Sequence, residues 1–169
     1  MATTKSTQMT AIDAVTTADK LNASAHAGNL HIIAVDYTVA GAAIANADIV
    51  ELCTLPPGAR LHMGLCYYEF SATQGASTTV DVGWQAYKGA DGTTTAADPD
   101  GICDAAIATV TTPTVWALGT YGTGIGDDKS ILFTSQEPVT IQMTANDAGG
   151  TYDGDIADVM RFTFVYSMS

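Results

Sequence analysis

The sequence predicts an all-β fold: an antiparallel β-sandwich of jelly-roll type, a single domain behind an extended N-terminal arm. Three observations lead there. About seven or eight stretches alternate apolar and polar residues with period two, the spacing of a half-buried strand. Gly, Asp and Pro clusters separate these stretches. Helical periodicity is almost missing, and Ala, Thr and Gly make up so much of the 169 residues that short strands suit the chain better than long helices. The length fits one domain with a true core, and no fixed-period repeat is present.

Residues 1–29 stand apart as the arm, and residues 30–169 form the sandwich domain. The arm is rich in Thr, Ala, Ser and Asn. In "TAIDAVTTADKL" Ile12, Val15 and Leu21 fall near one helical face, a poor stripe among threonines. Two readings stay open: a flexible tail, or a segment that orders only against a neighbouring subunit.

From Leu30 the period becomes two. Ile33, Val35, Tyr37 and Val39 alternate with Ala34, Asp36 and Thr38, and a small-residue connection follows. In "DIVELCTL" (48–55) Val50 and Leu52 share one face, while Ile49, Glu51, Cys53 and Leu55 share the other. "PPGA" (56–59) ends that strand, because Pro56 and Pro57 lack amide donors and Gly58 tolerates positive φ. "RLHMGLCYYEF" (60–70) then places Leu61, Met63, Leu65 and Tyr67 on one side and His62, Gly64, Cys66, Tyr68 and Phe70 on the other. A strand that is apolar on both sides needs two covers. The opposing sheet supplies one, and an arm, a loop or another chain must supply the second.

"STTVDVGWQAY" (77–87) is the clearest strand, with Val80, Val82, Trp84 and Ala86 inward. "KGADGTTTAADPDG" (88–101) reads as a long turn-rich loop. "ICDAAIATV" (102–110) fits a short helix or a strand. "TVWALGTYG" and "SILFTS" (130–135) read as short strands. "PVTIQMTA" (138–145) turns Val139, Ile141, Met143 and Ala145 inward. "ADVMRFTFVYSM" (157–168) does the same with Met160, Phe162, Phe164 and Tyr166.

The formal charge of −12 comes from 18 acidic and 6 basic side chains, and the excess acid sits beyond the arm. Such a surface repels phosphate backbones and anionic headgroups, so neither nucleic acid nor membrane is an expected partner. No stretch approaches the ~18 apolar residues of a membrane helix, and the N-terminus lacks the order of a secretory signal. Cys53, Cys66 and Cys103 are odd in number and form no CxxC pair, which disfavours zinc and a disulfide framework and favours reduced, buried thiols.

The chemistry of catalysis is thinly represented. His26 lies in the arm, while His31 and His62 fall on strands, and no GxSxG elbow is present. On a regular strand His62 and Cys66 would stand about 13 Å apart, too far for a dyad. No enzyme is expected, and no catalytic residue, metal or cofactor is assigned. "DPDG" (98–101) and "YDGDIAD" (152–158) place carboxylates close together, but neither is an EF-hand and solvated turns account for both. "GTYGTGIGDD" (119–128) ends in two aspartates and lacks the Lys-Ser/Thr of a phosphate cradle. Trp116 and Tyr121 are the candidates for an exposed sugar platform.

The residues from the arm through the strand after the corner resemble a family of tailed-phage virion proteins: capsid decoration, cement and related structural proteins. The likeness is carried by "MATTKSTQ", by "IIAVDYTVAGA", by the core "D-I-V-E-L-x-x-L-P-x-G-A-R-L" within "NADIVELCTLPPGARLHMG", by "STTVDVGW", and more loosely by "ADPDG…DA". It covers most of residues 1–87. The resemblance implies a small β-sandwich seated on the outer surface of an icosahedral head, often a homotrimer, contacting the major capsid protein and sometimes reaching a neighbour with a terminal arm. It brings no active-site residues. The expected partners are thus the major capsid protein and further copies of the chain. The expected location is the capsid surface of the virion, after synthesis in the host cytoplasm, and the expected effect is capsid stabilisation. The expected contact residues are Thr3, Thr4, Ile12 and Val15 in the arm, with His62, Cys66, Tyr68 and Phe70 on the second apolar face. The competing expectation is a carbohydrate- or host-surface-binding sandwich of a phage tail or head fibre.

Overall fold

The computed structural model describes residues 3–5, 30–39, 44, 47–71, 78–107, 114–115, 130–147 and 159–168. In chain order the strands are β1 (Thr3–Lys5), β2 (Leu30–Thr38), β3 (Ile49–Leu55), β4 (Ala59–His62), β5 (Tyr67–Phe70), β6 (Thr78–Trp84), β7 (Tyr87–Lys88), β8 (Thr94–Thr95), β9 (Asp98–Ile107), β10 (Thr114–Val115), β11 (Ser130–Leu132), β12 (Val139–Asp147) and β13 (Val159–Met168). They build an all-β sandwich, as the periodicity predicts.

One sheet has the order β1-β3-β12-β6-β9. In the other, β13 pairs from Val159 to Ser167 with β2 on one side. On its other side it pairs first with β5 and then with β4, which carry β10 and β11 at their outer edges. Strands β7 and β8 make a small separate hairpin. The pairings within the described residues are antiparallel except β1 with β3. The core between the sheets joins Val50, Leu52, Leu55, Val82, Ile141 and Met143 of the first to Val35, Leu61, Phe70, Phe162 and Phe164 of the second. Phe162 meets Phe70 edge-on, with ring centroids 6.4 Å apart.

The Pro-Pro-Gly corner carries the chain from one sheet to the other. Ala59 N–H donates to Pro56 O at 3.1 Å, closing a turn with Pro57 and Gly58 at its centre. Gly58 takes φ 76°, as the third position of a type II turn demands. Phe133 then fastens the corner: Gly58 N–H donates to its carbonyl at 3.2 Å, and its own N–H donates to Ala59 O at 2.9 Å.

Both strands flanking the corner depart from regular alternation, which corrects the two-faced reading. In β3 the partner register jumps from Cys53↔Ile141 to Glu51↔Gln142, so Leu52 is an extra residue, a bulge. Leu52 and Cys53 are both buried, and the inward set passes from Val50 and Leu52 to Cys53 and Leu55. Residues 60–70 are not one strand either. A 3-10 turn at Met63–Leu65 separates β4 from β5. The six steps from Leu61 to Tyr67 face only three steps of β13, from Tyr166 to Thr163. An odd excess flips every later side chain to the other face. Leu61 before the turn, Met63 at its start, and Cys66, Tyr68 and Phe70 after it consequently enter the same core.

Residues 102–110, open between helix and strand, are strand through Ile107, and the loop before them holds the β7–β8 hairpin. Strand β9 begins already at Asp98, within "DPDG". Pro99 is tolerated because β9 is the last strand of its sheet, where a missing amide costs no ladder bond. Two glycines let β9 cross close to β6. A Cβ on Gly83 would lie 2.5 Å from the Pro99 carbonyl carbon, and one on Gly101 would lie 2.5 Å from Cζ3 of Trp84. The indole rests on Gly101 and meets Phe133 edge-on at 5.4 Å.

Candidate interaction surface

The structure divides the expected contact residues. Thr3 and Thr4 lie in β1, paired in parallel with Ile49 and Val50 of the same chain. Ile12 and Val15 lie outside the described residues, as do His26, Trp116, Tyr121 and residues 152–158. His62 is half-buried, with Nε2 2.9 Å from Ser167 Oγ. Cys66 and Phe70 are fully enclosed and Tyr68 is 4% exposed, so these three are core residues and offer nothing to a second subunit. The cause is the parity flip at Met63–Leu65.

That turn leaves a gap in the ladder, and Cys66 fills it. Its thiol hydrogen faces His62 O at 3.3 Å and Val165 O at 3.9 Å, while Val165 N–H donates to Sγ at 3.4 Å. The contact with position 62 is to its carbonyl; the imidazole is held by Ser167. Burial pushes the Cys66 thiol up to about 11 and raises Cys53 further still. Cys53, Cys66 and Cys103 are all buried and unbridged. Thiols so placed are poor nucleophiles.

Polar clusters are few. Among the described residues no three His, Cys, Asp or Glu side chains gather closely enough to hold a metal ion. No described helix is long and apolar enough to cross a membrane. Burial and the adjoining Asp100 carboxyl raise the Asp98 pKa above the usual carboxylate value. On the outer face of the β2–β13–β5 region, Asp36, Glu69, Ser71, Val159 and Arg161 line a cleft of about 320 Å³. Arg161 is already committed there: Nε and Nη2 donate to the two Asp36 carboxylate oxygens at 2.7 and 3.0 Å, and Glu69 stands 3.9 Å away. His62 has no carboxylate partner among the described residues, so its contact with Ser167 lacks the third group that orients a catalytic base.

The other end of the same outer face is different in kind. One row crosses four strands as Leu30, Ser167, Arg60 and Leu132. Beside it lie the pairs Ile32–Val165 and His62–Ser130. Leu30, Ile32 and Leu65 are 51%, 66% and 51% exposed, and Leu132 and Met168 are also exposed. Together these are the large hydrophobics that remain outside among the described residues: Leu30, Ile32 and Leu132 share this outer face, Leu65 lies in the turn between β4 and β5, and Met168, level with Ala59, falls on the parity of the other face. Burying such side chains against a second surface is favourable by about 25 cal/mol per Å². Single scattered apolar residues need no explanation, but a cluster marks a surface that gains by being covered. Sequence reasoning missed it because Leu30 opens a strand and Leu65 sits in a turn; the one available signal was Ile32, apolar on the outward parity of β2.

No family model matches the chain, and no curated protein matches it. Among solved structures, a chain of the "Cyanophage Pam1 capsid asymmetric unit" is similar, with a TM-score of 0.46 and 17% identity over 93% of this chain and 99% of that one.

Proposed function

We propose that this chain is a non-enzymatic structural virion protein that decorates or cements the outer surface of a tailed-phage capsid, binding the major capsid protein as a homotrimer. The observation that carries the reading is the exposure of Leu30, Ile32 and Leu132 together on one face of the sheet built by β2, β13, β4 and β11. The resemblance of residues 1–87 to phage decoration and cement proteins supplies the class of partner. A subunit whose task is attachment needs a rigid scaffold and a surface that is stable only when covered, and this reading asks for no further chemistry. Synthesis in the host cytoplasm followed by docking on completed shells fits the three reduced thiols.

Mass spectrometry of purified particles tests the reading. The expected result is this chain at on the order of tens to hundreds of copies per particle, as repeated symmetric attachment requires. Its absence from particles would overturn the proposal. Sedimentation of the purified chain at three times the monomer mass is expected, and a lone monomer would remove the trimer. Deleting residues 1–25 should leave the sandwich folded and weaken attachment to shells; undiminished attachment would argue against a role for the arm.

A further inference from the structure

We propose that the Asp91–Gly92 bond at the tip of the β7–β8 hairpin is a site of spontaneous aspartyl isomerisation, and that the Thr93 hydroxyl holds the reaction in check. The inference is independent of the attachment reading.

Isomerisation needs no enzyme. The Gly amide nitrogen attacks the Asp side-chain carbonyl carbon, a C–N bond forms, and the carboxyl hydroxyl leaves with the amide proton as water. Water then opens the five-membered imide at either carbonyl, which restores Asp or routes the chain through the side chain as isoaspartate. Nothing is oxidised or reduced. Gly favours the step because no Cβ obstructs the approach of its nitrogen. Ring closure draws on the protonated carboxyl, since a carboxylate has no hydroxyl to lose.

The described residues hold two Asp-Gly pairs, Asp91–Gly92 and Asp100–Gly101, and the fold treats them differently. Asp91 and Gly92 are both exposed, and a Cβ on Gly92 would meet nothing within 4 Å. Gly101 is buried in β9 beneath the indole, where a Cβ would lie 2.5 Å from Trp84 Cζ3 and 2.8 Å from Asp98 Cγ. Turning that backbone into a ring would pull it off β6 in a close-packed region. The strand therefore shields its own Asp-Gly pair, and the hairpin tip leaves room at the other. Asp153–Gly154 lies outside the described residues.

Thr93 supplies the restraint. Gly92 N–H donates to Gly89 O at 2.9 Å and Gly89 N–H donates to Thr93 O at 2.7 Å, which closes the turn with Gly92 at φ 81°. Asp91 Oδ1 then accepts the Thr93 hydroxyl at 2.7 Å and the Thr93 amide at 2.9 Å. Both donors favour the ionised form, and the hydroxyl foremost holds the Asp91 carboxyl below its ordinary 3.8. Lys88 on β7, and Glu137, whose carboxylate accepts the Lys88 N–H at 3.1 Å, are the other charged side chains of the hairpin and of the segment against it. The shift arises from Thr93 rather than from them. Less of the carboxyl is protonated at a given pH, so the ring closes more slowly than at an unheld aspartate.

The test incubates the purified full-length chain at 37 °C in water enriched in oxygen-18, at several values between pH 4 and 8. Each passage through the imide leaves one heavy oxygen behind, and electron-transfer fragmentation of the digested chain locates it and the isoaspartate. In the folded chain Asp91 should take up label at least tenfold faster than Asp100, and in denaturant the two should differ by less than threefold. Thr93→Val, which removes the hydroxyl, should at least double the Asp91 rate at pH 6 and move the pH above which the rate declines upward. Thr93→Ser keeps the hydroxyl and should retain the unaltered rate and profile. Equal labelling of the two sites in the folded chain, or a slow Asp100 that persists in denaturant, would overturn the site. A Thr93→Val chain with an unchanged rate, or a faster one with no shift in its pH profile, would overturn the role of the hydroxyl, since loosening the hairpin alone raises the rate equally at every pH.

Discussion

Cys66 Sγ accepts the Val165 amide at 3.4 Å across a break in the strand, so a thiol does what a backbone carbonyl does elsewhere in the ladder. The break exists because three extra residues, Met63–Leu65, are spent in a 3-10 turn. Cys66→Ala would empty the site and leave the buried Val165 N–H unpaired, at a cost of about 1–3 kcal/mol beyond the packing loss. Cys53→Ala, at an equally buried thiol, should cost less. Urea unfolding of the two variants compares them, and equal losses would mean that the Cys66 contacts contribute nothing.

Native protein should be inert to thiol reagents. All three cysteines are buried, and burial holds the Cys53 and Cys66 thiols protonated well above neutral pH. Treatment with an aromatic disulfide at pH 8 should modify none until denaturant is added. Rapid reaction in the folded state would contradict the placement of β3 and β5.

Phe70→Ala distinguishes a core residue from a contact residue. The ring is fully buried and packs on Tyr68 and Phe162. Its truncation should lower folding stability by about 3–5 kcal/mol, measured by denaturant unfolding. A stable variant defective only in assembly would restore the outward reading of this position.

Gly101→Ala and Gly83→Ala should both destabilise the β6–β9 crossing, and Gly83→Ala more severely. The added methyl at Gly101 meets the indole of Trp84, which can shift, whereas at Gly83 it meets the backbone of Asp98 and Pro99, which cannot move without displacing β9. Losses of about 1–3 kcal/mol are the ordinary scale of overpacking. Gly101→Ala should also alter the near-ultraviolet dichroism of the tryptophans.

Two carboxylates give pH effects of opposite sign. Its hydrogen bond with Arg161 lowers the Asp36 pKa below 3.8, so the stability it adds is complete above that value and is lost as pH falls through the depressed one. Asp98 is raised above 3.8, so its ionisation opposes folding as pH rises through the window from 3.8 to the raised value. Asp98→Asn should therefore raise the melting temperature at pH 7 and lose that advantage below pH 3.8. An unchanged difference across that range would show that the carboxyl is not responsible.

Period two was enough wherever a strand runs without interruption. In β12 and β13 the inward sets Val139–Ile141–Met143–Ala145 and Met160–Phe162–Phe164–Tyr166 were legible because each side chain's face follows from its parity alone, as were Val80 and Val82 in β6, whereas Ala86, expected inward with them, is exposed because β6 ends at Trp84. The corner was legible for the same local reason, since Pro56, Pro57 and Gly58 restrict their own backbone. Charge and the missing motifs likewise needed no partner to be read. The faces of β3 and of β4 with β5 did need one. A bulge at Leu52 and a turn at Met63–Leu65 are departures from a neighbour's register, and register is a property of two strands. What looks in one dimension like a strand apolar on both sides is a strand that changes face. Only the fold could show that Cys66, Tyr68 and Phe70 belong to the interior, and that the apolar surface left outside is the row of Leu30, Arg60 and Leu132, residues far apart in sequence and brought level by β13.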